Sequence, residues 1–332
     1  MKAMRLAQRL TVGLCLACAL PAGARGLPIG KCINAGNHLE GRVENAFGGK
    51  RIESEDFRAI RAAGFETVRI PANWYTHSDP EAPHKIDPQW MTRVTEVVDS
   101  ALASGLKVIL DSHNFAPVHD DPAVGGPWLA EVWRQVARNF ADRPQDRLWF
   151  EIENEPHDKL DNANLLATLG PALAAIRESN PTRPVVIGGE RWSGIDSLAT
   201  LRLPDDPNVY PTFHYYEPFD FTHQGASWVN PSPPLGRKYG TEADAARLTT
   251  DIAKLRAYVA RTGVTPFMGE SGAFESIPLE GRLPYYRAIT QAFTAENVPI
   301  CYWAYTNTFP LRDKQTGKWL DGMLDAVGLS KK

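Results

Sequence analysis

Short apolar, β-prone segments recur along the chain at 31–34, 66–70, 106–110, 148–152, 185–188, 208–213, 265–268 and 299–302. Between them run stretches whose apolar residues return at helical spacing. The clearest joins the second segment to the third. There Trp90, Met91, Val94, Val97, Val98 and Leu102 share one face, Asp87 is placed as N-cap, Pro88 as first helical residue, and Gly105 follows the end. Comparable stretches cover 54–63 before Gly64, 243–261 before Gly263, and 283–296. Eight strands, each led on by a helix or a long connection, predict an α/β fold: a single-domain (β/α)8 TIM barrel, which typically runs to ~250 residues before insertions. An open doubly wound sheet competes, but it usually carries a Gly-rich phosphate loop after its first strand, and no such loop follows 31–34.

Composition narrows the class without changing the fold. The chain has 332 residues, 43% apolar and 23% charged, which excludes disordered, collagen-like and polytopic membrane proteins. With 36 Lys and Arg against 39 Asp and Glu, there is no basic excess to bind nucleic acid. The nine Trp suit ring faces laid against sugars, although core packing is the default reading of any single ring.

The first residues read as an address. Lys2, Arg5 and Arg9 precede an apolar run from Leu10 to Leu20, then Pro21 and Ala22-Gly23-Ala24. A positive start, a short apolar core and an A-x-A site predict a secretory signal peptide over 1–24 and a catalytic domain over 25–332. The run is shorter than the roughly 20 residues that span a bilayer. A lipoprotein signal is disfavoured because neither Cys15 nor Cys18 has Leu three positions before it with small residues between. The expectation is a secreted protein, extracellular or periplasmic. Cys32 and Cys301 remain beyond the leader. They belong to the first and last strands, which are neighbours in a closed barrel, and both are expected to point inward. Two lone cysteines in a large domain are nonetheless expected to be buried free thiols, although export permits a disulfide.

In such a barrel, function sits at the C-terminal ends of the strands. Those ends read Arg69-Ile70-Pro71, Asp111-Ser112-His113, Glu153-Asn154-Glu155-Pro156, Glu190-Arg191-Trp192, His214-Tyr215-Tyr216, Gly269-Glu270 and Trp303. Taken singly, each has an ordinary explanation: a solvated loop Glu, a satisfied His, a core Trp. Seven ends converging on one mouth argue for chemistry. Glycoside hydrolysis needs such a set, with one carboxyl protonated to assist the leaving oxygen and one ionised to attack the anomeric carbon. Glu155 and Glu270 are the candidate pair.

These residues resemble glycoside hydrolase family 5, the cellulase-type retaining β-glycanases. The resemblance runs from Cys32-Ile33-Asn34 through Val68-Arg69-Ile70-Pro71 with Trp74, Leu110-Asp111-Ser112-His113, and Trp149-Phe150-Glu151-Ile152-Glu153-Asn154-Glu155-Pro156. It continues through His214-Tyr215-Tyr216, the run from Glu217 to Gly225, and Gly269-Glu270 to Trp303. It implies Glu155 as acid/base and Glu270 as nucleophile, with Asn154 on the sugar 2-hydroxyl and Arg69 and Tyr216 orienting Glu270. His113 and His214 would line the cleavage subsite and Trp303 would form its floor. Trp74, Trp192 and Trp228 are weaker candidates for sugar stacking. Two features depart from the usual pattern. Asn114 stands where many members have a second His, which bears on a neighbouring subsite. Glu153 adds a third carboxylate, and strand alternation would put Glu151, Glu153 and Glu155 on one face with Arg or His partners.

The resemblance implies an endo-β-glucanase acting on β-1,4 or mixed β-1,3-1,4 glucan, with β-mannanase or β-1,3-glucanase as alternatives. It implies no metal or cofactor, a polysaccharide or oligosaccharide substrate, and no nucleic acid or membrane; a monomer is expected. A metal hydrolase using His38, Asp111, His113 and His214 lacks any H-x-H or H-E-x-x-H spacing. A non-catalytic carbohydrate-binding protein would not need the two carboxylates.

Overall fold

The computed structural model describes residues 23–48, 50–114 and 117–329. The leader read over 1–24, with Cys15 and Cys18, lies outside them except for its last two residues. The eight strands are β1 (Cys32–Asn34), β2 (Thr67–Ala72), β3 (Lys107–Ser112), β4 (Leu148–Glu151), β5 (Val185–Gly188), β6 (Val209–His214), β7 (Phe267–Glu270) and β8 (Cys301–Tyr302). They pair in parallel in the order 7-6-5-4-3-2-1-8. Strand β1 lies between β2 and β8. The remaining seam closes where the Met268 N–H donates to the Pro299 carbonyl at 2.9 Å and the Trp303 N–H to that of Ser271 at 2.8 Å. This is the expected (β/α)8 barrel.

The helices are α1 (Ser54–Ala62), α2 (Pro88–Ala103), α3 (Pro122–Asn139), α4 (Leu165–Arg177), α5 (Glu190–Ser193), α6 (Phe219–Thr222), α7 (Glu242–Thr262), α8 (Leu279–Ala295) and α9 (Met323–Ala326). Their ends follow the sequence punctuation. The Asp87 carboxylate accepts from the Gln89 N–H at 2.8 Å, with Pro88 opening α2. Thr241 and Asp244 form a capping box on α7, and Gly263 ends it at φ 69°, a left-handed position that glycine adopts without a Cβ penalty. None of the helices among the described residues is long and apolar enough to cross a membrane.

Side-chain alternation divides the strands between two layers. Outward residues such as Val68, Val108, Leu110, Leu148 and Phe150 pack with the helices in the main core. Inward residues Cys32, Ile109, Trp149, Val186, Phe267 and Cys301 fill the lower barrel together with Leu27 and Ile29. One step further along the same strands, the inward positions turn polar: Asn34, Arg69, Asp111 and Glu151, all fully buried. The apolar plug is therefore the floor on which the site is built.

Within that plug, Cys32 and Cys301 are register partners on β1 and β8, their Cα atoms are 4.2 Å apart, and they form a disulfide. The expectation of two free thiols is corrected. Both side chains do point inward, and barrel closure brings together residues 269 apart in sequence, an adjacency that cysteine counting does not register. A bond across so long a loop removes much of the unfolded chain's freedom. Replacing both cysteines with Ala is expected to lower stability by about 2–5 kcal/mol, measured by denaturant unfolding. Thiol titration of the unfolded chain lacking its leader should find none before reduction and two after.

Candidate active site

Arg69 organises the centre. It emerges inward from β2 with no exposed surface and grips Glu151 with two hydrogen bonds, Nε to Oε2 at 2.7 Å and Nη2 to Oε1 at 2.9 Å. Nη1 donates to Glu270 Oε1 at 2.7 Å and to Asn34 Oδ1 at 3.0 Å, while Nη2 reaches Asn154 Oδ1 at 2.6 Å and Asp111 Oδ2 at 2.9 Å. One guanidinium thus faces three buried carboxyls. It cannot balance all of them. Burial pushes Asp111 well above the usual carboxylate range and Glu151 up to about 7, with Arg69 opposing the rise in both. Replacing Arg69 with Met is expected to cost about 3–5 kcal/mol of stability by leaving buried carboxylates without a counter-charge. Its unfolding midpoint at pH 7 measures this, and part of the loss should be recovered at lower pH, where those carboxyls are protonated.

Glu270 ends β7 and is held at both oxygens. Arg69 donates to Oε1 and the Tyr216 hydroxyl to Oε2 at 2.8 Å. Donors on both oxygens fix the orientation of the carboxyl group. Tyr216 keeps its proton, because burial and then the Glu270 charge raise its pKa well above that of an ordinary phenol. Gly269 makes room for this: a Cβ there would meet Thr212 Oγ1 at 2.7 Å and His214 Nε2 at 3.0 Å.

Glu155 follows β4 and differs in setting. A quarter of its side-chain surface reaches the cleft, and its Oε1 lies 2.7 Å from His214 Nδ1. The surrounding protein nonetheless raises its pKa by desolvation, against the nearby histidines and Arg69. Burial drives both His113 and His214 down to about 4, so both rings are neutral near pH 7. The two glutamates therefore differ in setting: Glu270 is held by a donor on each oxygen, whereas Glu155 is desolvated beside a single ring nitrogen. One carboxylate oxygen of each, with a ring nitrogen of His214, all lie within 4.8 Å of one another.

The other sequence candidates join this pair. Asn154 gives an amide hydrogen to His113 Nε2 at 3.2 Å while its oxygen accepts from Arg69, which leaves its second N–H for a ligand. His113 Nδ1 faces Asp111 Oδ2 at 2.9 Å, and its ring lies 5.7 Å from that of Trp303, nearly parallel. Trp303 is almost wholly buried and packs with Phe309, Tyr216 and Phe274. Trp74 is fully buried in the main core and cannot stack on a sugar. Trp192 and Trp228 are each more than half exposed and line a cleft of about 780 Å³ with Glu155, His214 and Tyr216.

One sequence expectation fails at β4. The strand stops at Glu151, so alternation does not carry Glu153 onto the face of Glu151 and Glu155. Glu153 instead turns toward Ser112, Asn114 and His119. The expected basic partners are Arg69 for Glu151, His119 for Glu153 and His214 for Glu155. Asn114, where many members have a second His, directs its amide to the protein. Its oxygen accepts from the Trp74 and Tyr75 N–H groups at 3.0 and 3.1 Å, and its nitrogen donates to Ser112 Oγ at 2.7 Å and Glu153 Oε2 at 3.1 Å. Glu151 and Asn34 are absent from the sequence candidates for the site, although strand alternation places them, with Asp111, one step below the mouth, facing Arg69.

His38, Asp111, His113 and His214 do not gather into a ligand set: His38 sits by Thr306, and Asp111 and His113 pair with each other. Among the described residues, the group close enough to hold a metal ion is Glu155, His214 and Glu270 itself.

A barrel whose mouth presents two facing carboxyls, one clamped by Arg and Tyr, beside exposed tryptophans defines a glycoside hydrolase. The chain belongs to the cellulase family, glycosyl hydrolase family 5, whose profile matches residues 32–309. Endoglucanase H of Acetivibrio thermocellus is 30% identical over 83% of this chain, and the cellulase/esterase CelE of the same organism 28% over 86%. The chain spans 29% and 37% of the lengths of those two relatives. Among solved structures, a hyperthermophilic endo-β-1,4-glucanase in complex with substrate superposes with a TM-score of 0.87 at 36% identity, covering 90% of this chain and 97% of that one. Cel5A of Thermotoga maritima, solved with cellobiose and with mannotriose, superposes at 0.86 with 34% identity and the same coverage.

Proposed function

We propose that this protein is a retaining endo-β-glucanase acting on β-1,4 or mixed β-1,3-1,4 glucan, with Glu155 as acid/base and Glu270 as nucleophile. The observation that carries the reading is the approach of the two carboxyls to within 4.8 Å. A double displacement wants them about 5–5.5 Å apart, whereas an inverting enzyme leaves about 6.5–9.5 Å for a water molecule. In the first step Glu270 attacks the anomeric carbon, and the glycosidic oxygen leaves with the proton of Glu155. In the second, Glu155 takes a proton from water as that water displaces Glu270.

Similarity to endoglucanases supports glucan as the substrate, and the exposed Trp192 and Trp228 supply ring faces for several sugars. β-Mannan is the second reading, favoured by the mannotriose complex of the Thermotoga maritima relative. Product analysis on soluble glucans and mannans tests both. The expected result is an early fall in the viscosity of β-1,4 or mixed-linkage glucan, with short oligosaccharides released in the β configuration. Faster cleavage of mannan would establish the second reading, and α products would overturn the retaining mechanism.

We also propose export, supported by the leader pattern over 1–24 and by a disulfide suited to an oxidising compartment. N-terminal sequencing of protein recovered outside the cytoplasm should start at Arg25; an intact Met1 there would overturn this.

A further inference from the structure

A second set of titratable side chains rises through the wall beneath Glu155 and takes no part in the displacement. Glu153 is fully buried, with Oε1 3.2 Å from His119 Nε2. The His119 ring, itself 1% exposed, stacks on that of His157 with centroids 4.0 Å apart and planes 18° from parallel. His157 stacks in turn on Trp192, at 5.1 Å and 13°. Its Nδ1 meets the Glu155 carbonyl at 2.5 Å. Three rings thus form one column from a buried carboxylate to an indole that is 54% exposed on the cleft.

The top of the column has an unusual backbone. Arg191, Trp192 and Ser193 have φ of 56°, 55° and 53°, three successive non-glycine residues in the left-handed region. Such residues persist only where their surroundings hold them. Here the Trp192 N–H donates to the Pro156 carbonyl at 3.0 Å, and Ser193 Oγ donates to the Asn154 carbonyl at 3.0 Å. Both anchors belong to the segment that carries Glu155. The imidazole of His157 is what lies against the indole itself. At the base, desolvation lowers the pKa of His119, but the neighbouring Glu153, with Asn114 and Glu155, raises it on balance.

We propose that Glu153, His119 and His157 are positioning residues that hold Trp192 as a rigid platform for the sugar on the leaving-group side of the cleavage point. Trp192 lines the same cleft as Glu155, the proposed proton donor to the leaving group, and the His157 ring stacked on it meets the Glu155 carbonyl, which is why the departing sugar is assigned to its face. The inference rests on the acid role proposed for Glu155. The column sets how firmly a leaving sugar is held and leaves the chemistry to the two glutamates.

The test compares cellopentaose, whose leaving group is a sugar, with β-cellobiosyl fluoride, whose leaving group is one atom. His157→Ala is expected to raise KM for cellopentaose about three- to tenfold, the range of one aromatic contact. Its kcat/KM on the fluoride should stay within about twofold of the parent's, which also reports an intact fold. His157→Phe keeps a ring against the indole and should restore most of the cellopentaose KM. Equal losses on both substrates, or no gain from Phe over Ala, would overturn the column. Trp192→Ala separates the levels. If it raises the cellopentaose KM while His157→Ala does not, the platform stands and the column falls. If Trp192→Ala leaves that KM unchanged, the platform itself is wrong. An unaltered protein that turns over neither compound would instead refute the proposed function.

Discussion

Glu270→Ala is expected to lower kcat on every substrate by on the order of 10⁵-fold, on activated aryl glycosides as fully as on glucans. The breadth of the loss is what identifies the residue. A glycosyl-enzyme requires an oxygen on the anomeric carbon's far face, the role proposed for Glu270, whose two oxygens Arg69 and Tyr216 hold at 2.7 and 2.8 Å. A better leaving group cannot compensate for a missing nucleophile. The variant should fold, because Arg69 keeps Glu151 and Asp111 as partners. Removing one of three carboxyls around a single guanidinium also relieves a crowded charge. Equal melting temperatures with near-zero turnover are the expected pair of measurements. Appreciable residual cleavage of an aryl glycoside by this variant would show that another group attacks.

The mouth of the barrel was legible because strand alternation and strand order are both written in the residues. Glu155, His214, Glu270 and Trp303 meet because each stands at or just past a strand's C-terminal end, and a closed barrel sends those ends to one place, above the inward Arg69 of β2. The inward step that carries Asp111 and Glu151 was equally available in the period of two. What failed was extension of a local rule past its element. Glu153 was assigned to the face of Glu151 as if β4 continued, but the strand stops at Glu151 and the chain turns. The disulfide depends on a Cα separation that a count of cysteines cannot supply. Trp192 owes its exposure to a left-handed turn without glycine, which no turn signal announces.

Glu155→Ala should discriminate among substrates where Glu270→Ala does not. Natural glucans have poor leaving groups and need the proton, so their cleavage is expected to fall about 10²–10⁴-fold, the usual contribution of general acid catalysis. An aryl glycoside with an acidic phenol leaves unaided. Its first step should survive, and the covalent intermediate on Glu270 should accumulate because water has lost its base. Azide attacks without a general base, so adding it should speed turnover and yield the β-azide, the configuration of a double displacement. An α-azide would mean that the two roles had been exchanged. The pH profile offers an independent check. Burial raises the pKa of Glu155, so the proton it must donate is retained below that pKa and lost as pH rises through it. The alkaline fall in kcat/KM on glucan should therefore belong to Glu155. In Glu155→Ala acting on the activated aryl glycoside, that alkaline limb should disappear. An alkaline limb that persists unchanged in the variant would assign the proton donor elsewhere.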